Sequence, residues 1–224
     1  MSCVCLFGDS VGKGVIYDSA QRRYQLIREN AAALYSRVSG VVVKNYASFG
    51  CTLGKGWRIL RRHLEELAHC DRVILEFGGN DCDFDWAAVA ADPRGDHQPK
   101  TPLHEFEAGY AALVEEVRAQ GGRPVLLNLP PIHAPRYCAW ISRGLDGERI
   151  LEFLGEVERI YRWQEMYSLA VCRVAMRESA QLIDIRSAFL AERDYASLLC
   201  EDGIHPNKDG QALISQTILS ASRW

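Results

Sequence analysis

The chain has 224 residues, of which 48% are hydrophobic and 25% charged, with 18 Gly and 8 Pro. That is the make-up of a globular protein with one large core, and it excludes collagenous, repetitive and disordered chains. With 26 basic against 29 acidic residues, a net charge of −3 and no stripe of Lys or Arg, it lacks the electrostatic footprint of a nucleic-acid or anionic-membrane binder. The expected partner is a small molecule.

The first residues carry no basic segment followed by an apolar run, as a secretory signal would, and no uncharged apolar stretch approaches the roughly 20 residues that span a bilayer. A soluble, cytoplasmic protein is the expectation. Eight cysteines, Cys3, Cys5, Cys51, Cys70, Cys82, Cys138, Cys172 and Cys200, include no C-x-x-C pair and read as reduced, space-filling thiols.

In chain order, short apolar runs of strand character fall at Cys3–Phe7, Val41–Tyr46, Arg72–Phe77, Pro124–Leu129 and Gln181–Ile185. Between the first two, Tyr24, Ile27, Ala31, Leu34 and Val38 step by three and four, which predicts a helix. The same spacing runs through Leu53, Trp57, Leu60, Leu64 and Leu67. It returns at Phe106, Tyr110, Leu113 and Val117, in a segment with Thr101 as cap, Pro102 in the first turn and Gly121 as stop. A longer helix is expected from about Glu148 to Glu178, and a last one from Lys208 after Asn207. This alternation of strand and helix predicts an open parallel α/β sheet covered on both faces, and the lack of any linker predicts a single domain over residues 1–224. Two long connections, 82–100 and 130–147, follow strands and so overhang the carboxyl edge of the sheet, where ligands bind in such folds.

Four segments carry chemistry. Gly8-Asp9-Ser10 follows the first strand, Asn45-Tyr46-Ala47-Ser48-Phe49-Gly50 ends the second, Gly78-Gly79-Asn80-Asp81 follows the third, and Asp202-Gly203-Ile204-His205-Pro206-Asn207 precedes the final helix. A serine needs a base within hydrogen-bond reach to become a nucleophile, and His205 supplies one. The imidazole needs a fixed tautomer and a counter-charge, and Asp202, three residues earlier, supplies both from one turn. The backbone N–H groups of Ser10 and Gly50 and the side-chain amide of Asn80 are candidate oxyanion donors; at position 50 a glycine lets the backbone approach substrate without a Cβ in the way. Asp9, Asp81 and Asp184 read as structural. Trp86, Tyr137 and Trp140 are candidate pocket walls, and the remaining histidines lack the spacing of a metal pair.

Together the four segments resemble the four sequence blocks of the SGNH (GDSL-type) hydrolase superfamily, in the family's order and over nearly the whole chain. The resemblance implies a flavodoxin-like three-layer α/β/α sandwich with a five-stranded parallel sheet of order 2-1-3-4-5, and esterase or lipase chemistry that needs neither metal nor cofactor. It implies Ser10 as nucleophile, Asp202 and His205 as acid and base, and Ser10, Gly50 and Asn80 as the oxyanion hole. Cys51 stands where the family often has an acidic residue, and Cys82 where it often has a glycine-rich turn.

The expected reaction is hydrolysis of a carboxylic ester through an acyl-enzyme. With no apolar lid evident, the sequence favours short acyl groups, such as acetyl, on a sugar or other small alcohol. The alternatives are an acyl-CoA thioesterase or lysophospholipase of the same superfamily, or a non-catalytic module on the same scaffold. Gly8-Asp9-Ser10-Val11-Gly12 also fits the G-x-S-x-G elbow of α/β-hydrolases, but its place at the first strand and the Asp202-x-x-His205 spacing favour the first reading.

Overall fold

A computed structural model describes residues 2–221; residues 1 and 222–224 of the expected domain lie outside the described residues. The chain begins with β1 (Cys3–Gly8), a single helical turn α1 (Ser10–Lys13) and a hairpin of β2 (Val15–Asp18) and β3 (Arg23–Leu26). It continues through α2 (Ala31–Ser39), β4 (Val42–Asn45), α3 (Leu53–Leu60), α4 (Leu64–Leu67), β5 (Arg72–Glu76), α5 (Trp86–Ala91), α6 (Leu103–Ala119) and β6 (Pro124–Leu127). The last part holds α7 (Ala134–Ile141), α8 (Gly147–Leu154), α9 (Arg159–Arg177), β7 (Gln181–Ile183), α10 (Ile185–Leu190), a short 3₁₀ turn at Tyr195–Leu198 and α11 (Lys208–Ala221).

Five strands form one parallel sheet in the order β4-β1-β5-β6-β7, which is the 2-1-3-4-5 arrangement implied by the resemblance. Side chains alternate across it, as a period of two requires. Cys5, Phe7, Val73, Leu75 and Leu126 meet α3, α6 and α9 on one face, while Val4, Leu6, Ile74, Val125 and Ile183 meet α2, α10 and α11 on the other. Apolar side chains on both faces explain why the strands read as nearly continuous hydrophobic runs.

The structure departs from the sequence reading in four places. Tyr24 and Ile27 are not helical. Tyr24 pairs with Tyr17 in the β2–β3 hairpin, and the helix starts only at Ala31, where the Asn30 side chain accepts from the Ala33 N–H at 3.0 Å. The 53–67 period breaks after Leu60 and resumes at Leu64. The expected 148–178 helix is two, separated at Gly155, whose φ of +76° ends α8. Thr101 does not cap α6: the cap position is Pro102, and the Thr101 hydroxyl donates instead to Asp81 at 2.6 Å.

Both long connections fold. The first contains α5 and the second α7, and with α8 and the start of α9 they enclose a third apolar cluster of Phe84, Val89, Ile132, Ile150, Leu154 and Ile160. This cap stands over the carboxyl edge of the sheet.

The segment between the 3₁₀ turn and α11 is pinned to the body. Leu199 bridges Pro206, the Cys200 N–H donates to the His205 carbonyl at 2.8 Å, and the Asn207 side chain accepts from Asp209 and Gly210 N–H at 3.0 and 3.1 Å. Helix α11 lies so close that a Cβ at Gly210 would stand 2.5 Å from the Leu198 carbonyl oxygen and 2.9 Å from Pro206. Helix propensity alone would make Gly210→Ala stabilising by up to about 1 kcal/mol. The steric conflict with backbone reverses the sign, and urea denaturation of this variant is expected to show a loss of about 1–3 kcal/mol.

Candidate active site

The carboxyl ends of β1, β4 and β5 deliver three of the four motif segments to one edge, and the 199–207 turn brings the fourth. Ser10 is the first residue of α1. Asp9 caps that turn through Oδ1, which accepts from the Val11 N–H at 2.8 Å. Two further bonds hold it: Asn45 donates to the Gly12 carbonyl at 2.8 Å, and the buried Gln211 of α11 donates to the Val11 carbonyl at 3.0 Å while accepting from the Ala31 N–H.

Ser10 Oγ lies 2.9 Å from His205 Nε2, and His205 Nδ1 lies 2.6 Å from Asp202 Oδ2. A carboxylate only accepts, so Nδ1 carries the ring proton and donates to Asp202, which leaves the Nε2 lone pair facing the serine hydroxyl. Asp202 is fully buried, and its Oδ1 also accepts from the Ile204 and His205 N–H groups, each at 3.1 Å. Burial pushes this carboxyl up, but the His205 ring and the two backbone donors outweigh it and hold it below the usual aspartate range. Gly203 turns the chain between them at a φ of +77°, and a Cβ there would meet the His133 carbonyl oxygen at 2.8 Å, so the turn packs directly against the cap.

Ser10, Gly50 and Asn80 line one cavity. Asn80 Nδ2 donates to Asp9 Oδ2 at 3.1 Å. Gly50 has a φ of +63°, which favours glycine, and a Cβ there would meet no protein atom within 4 Å. Asp81 is buried and structural, accepting from the Leu53 N–H at 3.0 Å and from Thr101. Asp184 likewise caps α10. Cys82 lines the cavity, whereas Cys51 packs into the core.

A family model described as GDSL-like lipase/acylhydrolase matches residues 6–213. The chain belongs to this family. GDSL-family membership makes it a serine hydrolase that cleaves carboxylic esters through an acyl-enzyme. It is 23% identical over 199 residues to the GDSL esterase/lipase WDL1 of Oryza sativa subsp. japonica, covering 84% of this chain and 67% of the relative. Among solved structures, the lipase/acylhydrolase from Enterococcus faecalis superposes with a TM-score of 0.69 at 20% identity, over 98% of this chain and 94% of that one. An Axe2 variant, an acetyl-xylooligosaccharide esterase from Geobacillus Stearmophilus, gives 0.67 at 18% identity, over 100% and 94%.

Sequence reasoning missed two parts of this GDSL-family site. Tyr24, assigned to a helix, stands on β3 with its ring 5.2 Å from that of His205, beside Trp140 at 6.1 Å and Phe49 at 5.3 Å. Two four-residue runs, Val15–Asp18 and Arg23–Leu26, flanking the polar Ser19-Ala20-Gln21-Arg22, were the signal for that hairpin. Glu76, the last residue of β5, is buried beneath the Ser10 turn. A carboxylate at the end of an apolar strand was its only mark.

Burial pushes the Asp81 carboxyl up to about 6, against the hydrogen bonds from Thr101 and Leu53. The native state therefore takes up a proton here before the unfolded chain does, and this residue adds stability as pH falls through 6 towards 4. Urea unfolding at pH 7 and pH 5 is expected to show wild type gaining about 1 kcal/mol relative to Asp81→Asn on acidification. An equal pH response in the two proteins would contradict that assignment.

Proposed function

We propose that Ser10 is the nucleophile of this esterase, His205 its general base and acid, and Asp202 the residue that orients and charge-balances His205. The observation that carries this reading is the continuous hydrogen-bonded path from Ser10 Oγ through the imidazole to Asp202. His205 takes the serine proton as Oγ attacks the ester carbonyl, returns it to the departing alcohol, and then activates the water that deacylates the enzyme. The oxyanion is received by the Ser10 and Gly50 N–H groups and the Asn80 amide. A non-catalytic module leaves this path without a use.

The acyl group is proposed to be apolar and to extend beyond acetyl. The cavity at Ser10 encloses about 660 Å³, walled by Phe84, Trp86, Phe153, Ile160 and Trp163 of the cap. Ligand pockets run roughly 300–1,000 Å³, so an acetyl group would leave most of this one unfilled. Two polar residues of its lining are already engaged within the protein. Asp83 accepts from Trp86, Tyr137 and Lys100, and Gln164 donates to the Pro130 carbonyl while accepting from Arg186. Such walls offer surface rather than partners for sugar hydroxyls. The preference for short chains rested on having no lid, and the cap supplies one. Structural neighbours leave acyl length open, because a lipase/acylhydrolase and an acetyl-xylooligosaccharide esterase match about equally well.

Ser10→Ala is expected to lower kcat on a nitrophenyl ester by about 10⁴-fold or more, and Asn80→Ala by about 10²–10³. Across nitrophenyl acetate, butyrate, hexanoate and octanoate, kcat/KM is expected to rise by up to about fourfold per methylene, the equivalent of about 0.8 kcal/mol of burial each. A steady fall from acetate onward would reject the long acyl group while leaving the Ser10 chemistry intact.

A further inference from the structure

Two carboxyl groups, Asp9 and Glu76, lie side by side beneath Ser10, each 2% exposed. Glu76 pairs with Gly8 across β1 and β5. Its Oε2 accepts from the Asp9 N–H and the Gly12 N–H, both at 3.1 Å, so one oxygen brackets the turn that carries Ser10. The space it occupies exists because two positions are glycine: a Cβ at Gly8 would stand 2.6 Å from that oxygen and one at Gly12 3.1 Å. Its other oxygen, Oε1, is buried with no hydrogen-bond donor.

A buried carboxylate oxygen without a donor is costly, and two adjacent buried carboxylates more so. Protonating Glu76 eases both difficulties: one negative charge is left on the pair instead of two, and the neighbouring Asp9 carboxylate, with which the Glu76 carboxyl interacts directly, is the acceptor at hand for the proton. Asp9 is the better seat for the charge: Val11 N–H and Asn80 Nδ2 already donate to its two oxygens, and it faces His205. Around the pair stand Asp81, the Cys51 thiol, the Tyr110 hydroxyl and His205, with no lysine or arginine among these.

We propose that Glu76 and Asp9 share a single proton, held on Glu76, and that the resulting Asp9 carboxylate positions the Asn80 amide for the oxyanion. An anionic Asp9 only accepts, so it fixes which end of the amide faces it. Nδ2 turns toward Asp9 and its second N–H is left for the cavity. A neutral Asp9 would no longer enforce that orientation. The proton moves between no other groups, and Glu76 and Asp9 act through Asn80 and the Ser10 turn rather than on substrate. Burial beside the Asp9 charge drives the Glu76 carboxyl well above the usual glutamate range, in keeping with this arrangement. The role of the pair rests on the assignment of Ser10 and Asn80 made above.

Infrared spectroscopy of the substrate-free enzyme at pH 7 in deuterated buffer tests the proton directly. Wild type is expected to show the carbonyl band of a buried, protonated carboxylic acid, and Glu76→Gln to lack it. Glutamine can accept from both backbone N–H groups and donate to Asp9, so Glu76→Gln is expected to recover most of the kcat that Glu76→Leu loses, about 10-fold or more, with KM little changed in both. Asp9→Asn, which keeps the cap and removes the charge, is expected to lose kcat as Glu76→Leu does. A band that is absent from wild type or persists in Glu76→Gln overturns the proposal, as does a glutamine variant no better than the leucine one. The band is read without turnover, so an active Ser10→Ala enzyme that retained it would reject the nucleophile and leave the shared proton standing.

Discussion

The 2.9 Å approach of Ser10 Oγ to His205 Nε2 joins residues 195 positions apart, and the rest of the architecture serves it. A parallel sheet puts the carboxyl ends of all its strands at one edge. Order β4-β1-β5 then brings the segments carrying Gly50, Ser10 and Asn80 side by side. His205 comes from no strand end. It reaches the edge because α11 packs against α2 on the far face of β1 and because Gln211 ties α11 to the Ser10 turn. The close contact of Gly210 with the Leu198 carbonyl and the bridge between Leu199 and Pro206 fix the turn that presents the imidazole.

Electrostatics around that contact is arranged by burial more than by ion pairs. Asp202 stays ionised in a dry site because three donors compensate the lost water. Asp9 and Glu76 are buried as well, and among the described residues they are held by hydrogen bonds rather than by an ion pair. Two similar acids in one site are thereby driven to different protonation states, which is how one environment can hold an anion for orientation and a neutral acid for support. Above the edge, the cap of α5, α7, α8 and the start of α9 closes an apolar chamber over the same serine. In the proposed function the sheet edge supplies the chemistry, and the cap supplies the room for an acyl chain.

Much of this was legible in the sequence. Strands with apolar side chains on both faces announce themselves, and Ser10, Gly50, Asn80, Asp202 and His205 each stand in a motif whose spacing carries chemical meaning. What was hidden depends on contacts between distant segments. Tyr24 and Ile27 fit a helical period only because they happen to precede the true helix, and the hairpin pairing of Tyr17 with Tyr24 overrides it. Thr101 looks like a cap until Asp81 claims its hydroxyl. Glu76 is one acid among many until the fold buries it against two glycines. Of the cap, only the two long connections over the carboxyl edge and the candidate walls Trp86, Tyr137 and Trp140 were legible; its fold was not, since its apolar residues are scattered from Phe84 to Trp163 and share no local period.

Mapping the site of attack by a fluorophosphonate tests the central claim most directly. Peptide mass spectrometry of the labelled protein is expected to place the adduct on Ser10, with labelling of His205→Ala slowed severely because the hydroxyl then lacks its base. An adduct on another residue, or labelling of His205→Ala at the wild-type rate, would contradict the account.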